Sequence, residues 1–288
     1  MKKLIIILIA LSFVGVCLAA SIQDKHKAVI ARRNVAAPAG AKDYAGTDAN
    51  CQGAWLFNDN LTDACVSGSA GANDLTDGGT IVYSTTRPTQ YSTPQGKSAD
   101  FEAGDSDYLY RANAGVSANF PGKSDAANFS VSFWLKYENL SCNYGIIGKN
   151  FNTGWGVANL WVTDRCSMRI KVFDGTDGAY GTLDLDDDTD WHHFVVIFHG
   201  ASNHIHFYMS SDGGTFGDEA KHDDVDGTPI VLTDVDFADA NTGDLELGMY
   251  SATNFLDGLL YQMIVFNDVL TASEAEEIYN NGITGNDG

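Results

Sequence analysis

The chain is poor in positive charge, in glutamate and in long apolar runs, and each shortage argues against a class of protein. Only 17 of 288 residues are Lys or Arg, against 38 Asp or Glu, a formal net charge of −21. Such a field repels phosphate backbones and anionic lipid, which speaks against nucleic-acid binding. Just seven of the acids are Glu, so 31 are Asp. Glu populates helices, whereas Asp populates turns, caps and calcium loops, so the acid belongs to β-turns. No helical period longer than two turns occurs before residue 271, which excludes a helical bundle. Beyond residue 20 no apolar run is long enough to span a membrane. No CxxC unit, GxSxG or HExxH is present, and no two Glu flank an Asp as in laminarinase-type glucanases.

What is present begins with a leader. Lys2 and Lys3 precede an apolar run from Leu4 to Leu11 and small residues ending Ala19-Ala20. Residues 1–20 therefore read as a secretory signal peptide, with an uncleaved anchor or a lipid-modified Cys17 as rival readings. The expected location is secreted, extracellular or at the cell surface. Residues 21–50 are a basic segment and an Ala/Gly/Pro/Asp linker. Four cysteines follow the leader: Cys51, Cys65, Cys142 and Cys166. An even count in an exported chain implies two disulfides. Three pairings are possible; Cys51–Cys65 with Cys142–Cys166 is favoured because each closes a local excursion.

From Cys51 onward short β-branched and aromatic runs alternate with Gly/Asp/Asn/Ser turns. In 128–137 Phe129, Val131, Phe133, Leu135 and Tyr137 share one face, and Ser130, Ser132, Trp134 and Lys136 the other. The runs 194–198 and 259–266 are apolar on both faces, as central strands are. The expected fold is all-β: a two-sheet antiparallel sandwich over 51–282, with one short C-terminal helix and a tail at 283–288. Thr271 and Glu274 form a capping box for that helix, and Gly282 suits its stop. Its stripe of Ala275, Ile278 and Tyr279 should dock over the edge of one sheet, leaving Glu274, Glu276 and Glu277 in water.

The order of motifs carries a resemblance. AWLFND (54–59), GANDLT (71–76), KSADFEAGDSDYLY (97–110), NFSVSFWLK (128–136), DWHHFVVIF (190–198) and the terminal strand plus helix follow one another. This series resembles the laminin-G-like domains of the concanavalin A-like lectin/glucanase superfamily. The resemblance implies a jelly roll that serves as a non-catalytic extracellular module for glycan or protein binding, often with structural calcium. One departure stands out. Many relatives carry an acidic pair just inside the last strand, where this chain has Tyr261 and Gln262, with Asp257 just before Gly258.

Calcium takes six to eight oxygens from flexible loops. The candidate ligands are Asp63, Asn73, Asp74 and Asp257, with Asp105 and Asp107 as a second pair. The run from Asp184 to Asp190 lacks the Gly and Glu of an EF-hand and reads as turn acid. A sugar needs aromatic faces beside hydrogen-bonding groups. The candidates are Tyr144, Asn152 and Trp155, with Phe151 and Trp161 nearby, and Tyr250, Asn254 and Phe255 on a later loop. The competing reading packs the tryptophans in the core. His192 and His193 follow Trp191 on one strand, and His204 and His206 share a face of the next. The latter pair at i, i+2 could bind a metal, with His193 nearby, but no Cys or Glu at compatible spacing supports zinc, so the four read as strand-packing residues. The resulting expectation is a secreted recognition module for carbohydrate or an extracellular protein. An envelope, particle or fibre component is the alternative, and a polysaccharide hydrolase or lyase a further one.

Overall fold

A computed structural model of the chain describes residues 41–285, apart from 69–72, 92–95, 124–127, 140–142, 151–153, 163–164, 174–177, 185–188, 201–203, 219, 223–242 and 251. The leader, most of the basic segment, Cys142, Phe151 and Asn152 lie outside the described residues. The sandwich is as expected from the strand pattern. One eight-stranded sheet runs β13 (Ala220–His222), β12 (His204–Ser211), β11 (Trp191–His199), β6 (Asn128–Tyr137), β17 (Gly258–Phe266), β4 (Ser98–Phe101) and β3 (Val82–Ser84), with β1 (Cys51–Trp55) also paired to β17. The second runs β10 (Gly178–Asp184), β9 (Arg165–Phe173), β8 (Trp155–Val162), β7 (Tyr144–Lys149), β14 (Leu245–Leu247), β5 (Leu109–Arg111) and β2 (Thr76–Asp77). A hairpin of β15 (Met249–Tyr250) and β16 (Asn254–Phe255) stands apart. The pairings are antiparallel, and β17 lies between β6 and β4 far from it in sequence.

Period-two alternation builds the core. Phe129, Val131, Phe133 and Leu135 of β6 meet Phe194, Val196 and Phe198 of β11 and, from the facing sheet, Trp155, Val157, Ile170 and Leu247. The outward residues of β6 do not reach water, however. Ser130, Ser132 and Trp134 are buried because a second layer covers that face. The cover is α2 (Ala272–Asn281), with α1 (Tyr44–Thr47) and Ile283 beside it. The capping box of Thr271 and Glu274 is formed, and the Gly282 N–H, at φ 73°, closes the helix on the Ile278 carbonyl.

Helix α2 lies on the face of the eight-stranded sheet rather than over its edge. Tyr279 stacks on Trp134 with ring centroids 5.6 Å apart, and Ile278 packs with Val195, Ile197 and Ile264. The sequence expectation differs here because an apolar stripe shows that a helix docks, not where. Glu277 also departs from expectation. Its carboxylate accepts the Lys42 N–H at 2.8 Å and the Tyr44 hydroxyl at 2.9 Å. Burial, then the Glu277 charge, pushes the Tyr44 phenol above its ordinary pKa. The packed chain therefore begins before residue 51, within the segment read as linker.

The Cys51–Cys65 disulfide forms, with Cα atoms 5.7 Å apart. Closing a loop of this size contributes about 3 kcal/mol in the chain-entropy picture. Inside the loop the Asp63 carboxylate accepts the amides of Ala54, Cys65 and Asn73. The proposed Cys142–Cys166 bridge falls outside the described residues.

Candidate functional site

The outer face of the eight-stranded sheet is only half covered. One register row runs Trp191, Lys136, Leu259, Asp100, Val82 across β11, β6, β17, β4 and β3. Two residues further along the strands His193, Trp134 and Tyr261 are sealed, with Tyr279 of α2 packed among them. The outer row lies toward the open end, where Val82 is 62% exposed. Gly258 begins β17 at that end because a Cβ there would come within 2.4 Å of the Lys136 carbonyl oxygen.

Trp191 and Lys136 border a cleft of about 420 Å³, completed by Thr86, Arg87, Thr89, Asp190, His192, Ser211 and Asp212. Its far wall is the turn after β3. That turn is held by Asp212, whose two carboxylate oxygens accept the Thr89 and Gln90 amides at 2.7 and 2.6 Å. Arg87 donates to the Gly96 carbonyl at 3.1 Å, and Lys136 to that of Thr189. Trp191 is 5% exposed, and its indole N–H finds no acceptor among the described residues. A buried donor without an acceptor costs about 1–3 kcal/mol. Cations, hydroxyls, carboxylates and one indole thus converge on a single hollow, the composition of a polar-ligand site.

A second group stands at the same end. Asp100, Glu102 and Glu138 place carboxylate oxygens within 4.8 Å of one another. Burial raises the pKa of each, followed by the repulsion of neighbouring acids, Asp257 among them. Oxygen ligands so gathered fit a hard cation such as calcium, and Asp100 Oδ1 is buried without a hydrogen-bond partner among the described residues.

The calcium set read from sequence is put to other uses. Asp63 holds three amides as described, and the Asp74 carboxylate accepts the Asp63 amide at 2.8 Å. Buried Asn73 donates to the Gln52 carbonyl and to Ser117 Oγ, and accepts the Ser117 amide. These three knit the N-terminal loop; Asp257 alone lies near the carboxylate group, as a charge that raises its pKa values. Asp107, of the second pair, is also buried and accepts the Thr80 and Glu102 amides.

The sugar set is corrected in part. Trp155 is fully buried, 4.7 Å from Phe129 between ring centroids, and its N–H donates to the Pro121 carbonyl. Tyr144 is 7% exposed. Both are core residues closed to a ligand, because alternation on β7 and β8 turns them inward. Tyr250, Asn254 and Phe255 keep partial exposure, and Phe255 extends a cluster with Tyr108 and Tyr110. Sequence reasoning missed Arg87, Lys136, Trp191 and Asp212. The one signal was a Trp at the mouth of a strand whose centre, 194–198, is apolar on both faces.

The laminin G family model of the concanavalin A-like lectin/glucanases superfamily matches residues 110–276, and the chain belongs to this superfamily. Among solved structures it is similar to domain 4 of AbnA, a GH43 extracellular arabinanase from Geobacillus stearothermophilus, in complex with arabinotriose. Identity is 16% over 80% of this chain and 98% of that one, with a TM-score of 0.54. It is also similar to the binding domain of botulinum neurotoxin DC in complex with rat synaptotagmin II. Identity there is 13% over 80% of this chain and 51% of the other, so the chain spans about half of that structure, with a TM-score of 0.52. At such identities the likeness is one of fold. No curated protein matches the sequence.

Proposed function

We propose that the protein is an exported, non-catalytic recognition module that binds a saccharide in the Trp191 cleft. The observation that carries this reading is the polar hollow that Arg87, Lys136, Ser211 and Asp190 line beside Trp191, whose buried indole N–H has no acceptor among the described residues. The cations, carboxylates and hydroxyls around the hollow match the polar rim of a pyranose, and the Trp191 ring edge its apolar face. The AbnA domain, solved with arabinotriose, supports a saccharide by analogy of fold. Calcium belongs to the same reading, held by Asp100, Glu102, Glu138 and Asp257 as a brace beside the cleft. Titration of the full chain against an oligosaccharide panel tests the reading. A ligand should emerge whose affinity falls in Lys136→Ala and Asp190→Ala while Tyr250→Ala leaves it unchanged. A ligand lost only in Tyr250→Ala would move the site to the Tyr108–Tyr110–Phe255 patch.

One observation favours a second reading, a glycoside hydrolase. Carboxylates within 4.8 Å of one another approach the roughly 5 Å pair of a retaining enzyme. Glu102 and Glu138 are exposed, however, without the apolar pocket that keeps a general acid protonated near neutrality. Release of reducing ends that disappears in Glu138→Gln would establish the hydrolase and displace the binding module.

A further inference from the structure

The outer end of the β11–β12 hairpin gathers histidines that the cleft does not use. In the register of the two strands His199 stands opposite His204, and Ile197 opposite His206. Residues two apart on a strand share a face, so 204 and 206 share the face that carries Ile197 and His199. That is the outward face, since Ile197 packs in the cluster beneath α2 rather than between the sheets. The rings of His199 and His206 meet edge to face with centroids 4.6 Å apart, and both are partly exposed. One histidine on each strand, diagonal across the antiparallel pair, brings the two imidazoles within reach of a common point.

We propose that this hairpin end binds one divalent late transition-metal ion, of the zinc class, through His199 and His206. Imidazole nitrogen selects zinc, nickel and copper over calcium and magnesium, so the site is chemically distinct from the carboxylates around Asp100. Two nitrogens leave a tetrahedral ion two positions for water or a further ligand. The ion would clip β11 to β12 at the end farthest from Trp191.

Zinc titration of the full chain by calorimetry, with calcium in excess to occupy the carboxylates, tests the proposal. One zinc per chain is expected, together with a rise in melting temperature. Affinity should fall by roughly tenfold or more in His199→Ala and in His206→Ala, at least the loss caused by disturbing even the outer shell of a metal site. His222→Ala should leave the affinity unchanged. Zinc-free melts and circular dichroism establish that the variants are folded, and His206→Gln replaces His206→Ala should the latter unfold. No saturable zinc binding, or wild-type affinity in the His199 and His206 variants, would overturn the site and leave the two rings as packing partners.

Discussion

His193 and Trp191 lie two residues apart on β11, face the same way and are both buried, yet one is walled in on every side and the other borders a cleft. His193 is 1% exposed, its ring 5.5 Å from Tyr279 and 5.0 Å from Trp134, with Nε2 paired to Ser132 Oγ at 2.9 Å. Burial pulls its pKa down to about 3. Trp191, at the margin of the cluster that holds Tyr279 of α2, borders a cleft with two cations and two carboxylates. Strand alternation assigns both to one face; the helix decides which half of that face becomes a second core and which remains able to meet a ligand. The closed half is held by apolar contact and a neutral imidazole. The open half carries repelling acids and an indole N–H without an acceptor among the described residues.

The largest expected effect breaks the closed half. Ile278→Asp sets a carboxylate where the side chain is 1% exposed and should cost about 4 kcal/mol or more, lost packing alone being worth about 2–5 kcal/mol. A melt within a degree of wild type would show that α2 is not docked. Next comes acid. His193 titrates near 6.5 when unfolded and near 3 when folded, so between these values the unfolded chain binds the extra proton. Its contribution is fully present above the unfolded value and is lost as pH falls through the window, amounting to roughly 2 kcal/mol at pH 5. Denaturant melts at pH 7 and 5 should show that loss in wild type and not in His193→Gln; equal losses would place the ring in solvent. Glu277→Ala, which strips the acceptor from Lys42 and Tyr44, should cost about 1 kcal/mol. A null result there would free the N-terminal segment from the helix.

The smallest effect belongs to the open half and has the opposite sign. Carboxylates whose folded pKa values are raised hold protons more tightly than the unfolded chain does. The Asp100–Glu102–Glu138 group therefore contributes less stability as pH rises through the carboxylate range. Glu138→Gln should raise the melting temperature at pH 7 by about 1–2 °C and leave it unchanged at pH 4. Added calcium should reproduce the gain in wild type and add little in the variant. Destabilisation by Glu138→Gln at pH 7 would mean that the group is already neutralised by a partner.

Local chemistry made much of the fold readable from sequence. The capping box needs only Thr271 and Glu274, the first disulfide only two nearby cysteines, and β6 announces its two faces by alternation. The site is a long-range product. Its cleft joins residues 86–89 with Lys136, 190–192 and 211–212, and its acids join 100 and 102 with 138. Trp155 misled because an aromatic on a strand looks the same whether its face turns to the core or to solvent. Asp63 and Asn73 misled because a buried polar side chain that serves backbone amides has the composition of a cation ligand. Only the path of the chain separates these cases.

The central claim is that a saccharide sits against Trp191. Indole N–H signals in a nitrogen–proton correlation spectrum report it directly. Those of Trp55, Trp134 and Trp155 already donate to the Asn73 carbonyl, the Tyr91 hydroxyl and the Pro121 carbonyl, respectively. Addition of the oligosaccharide identified by titration should shift the Trp191 indole resonance as the ligand settles beside the ring, while those three remain in place. Saturable binding with the Trp191 signal unmoved would contradict the account.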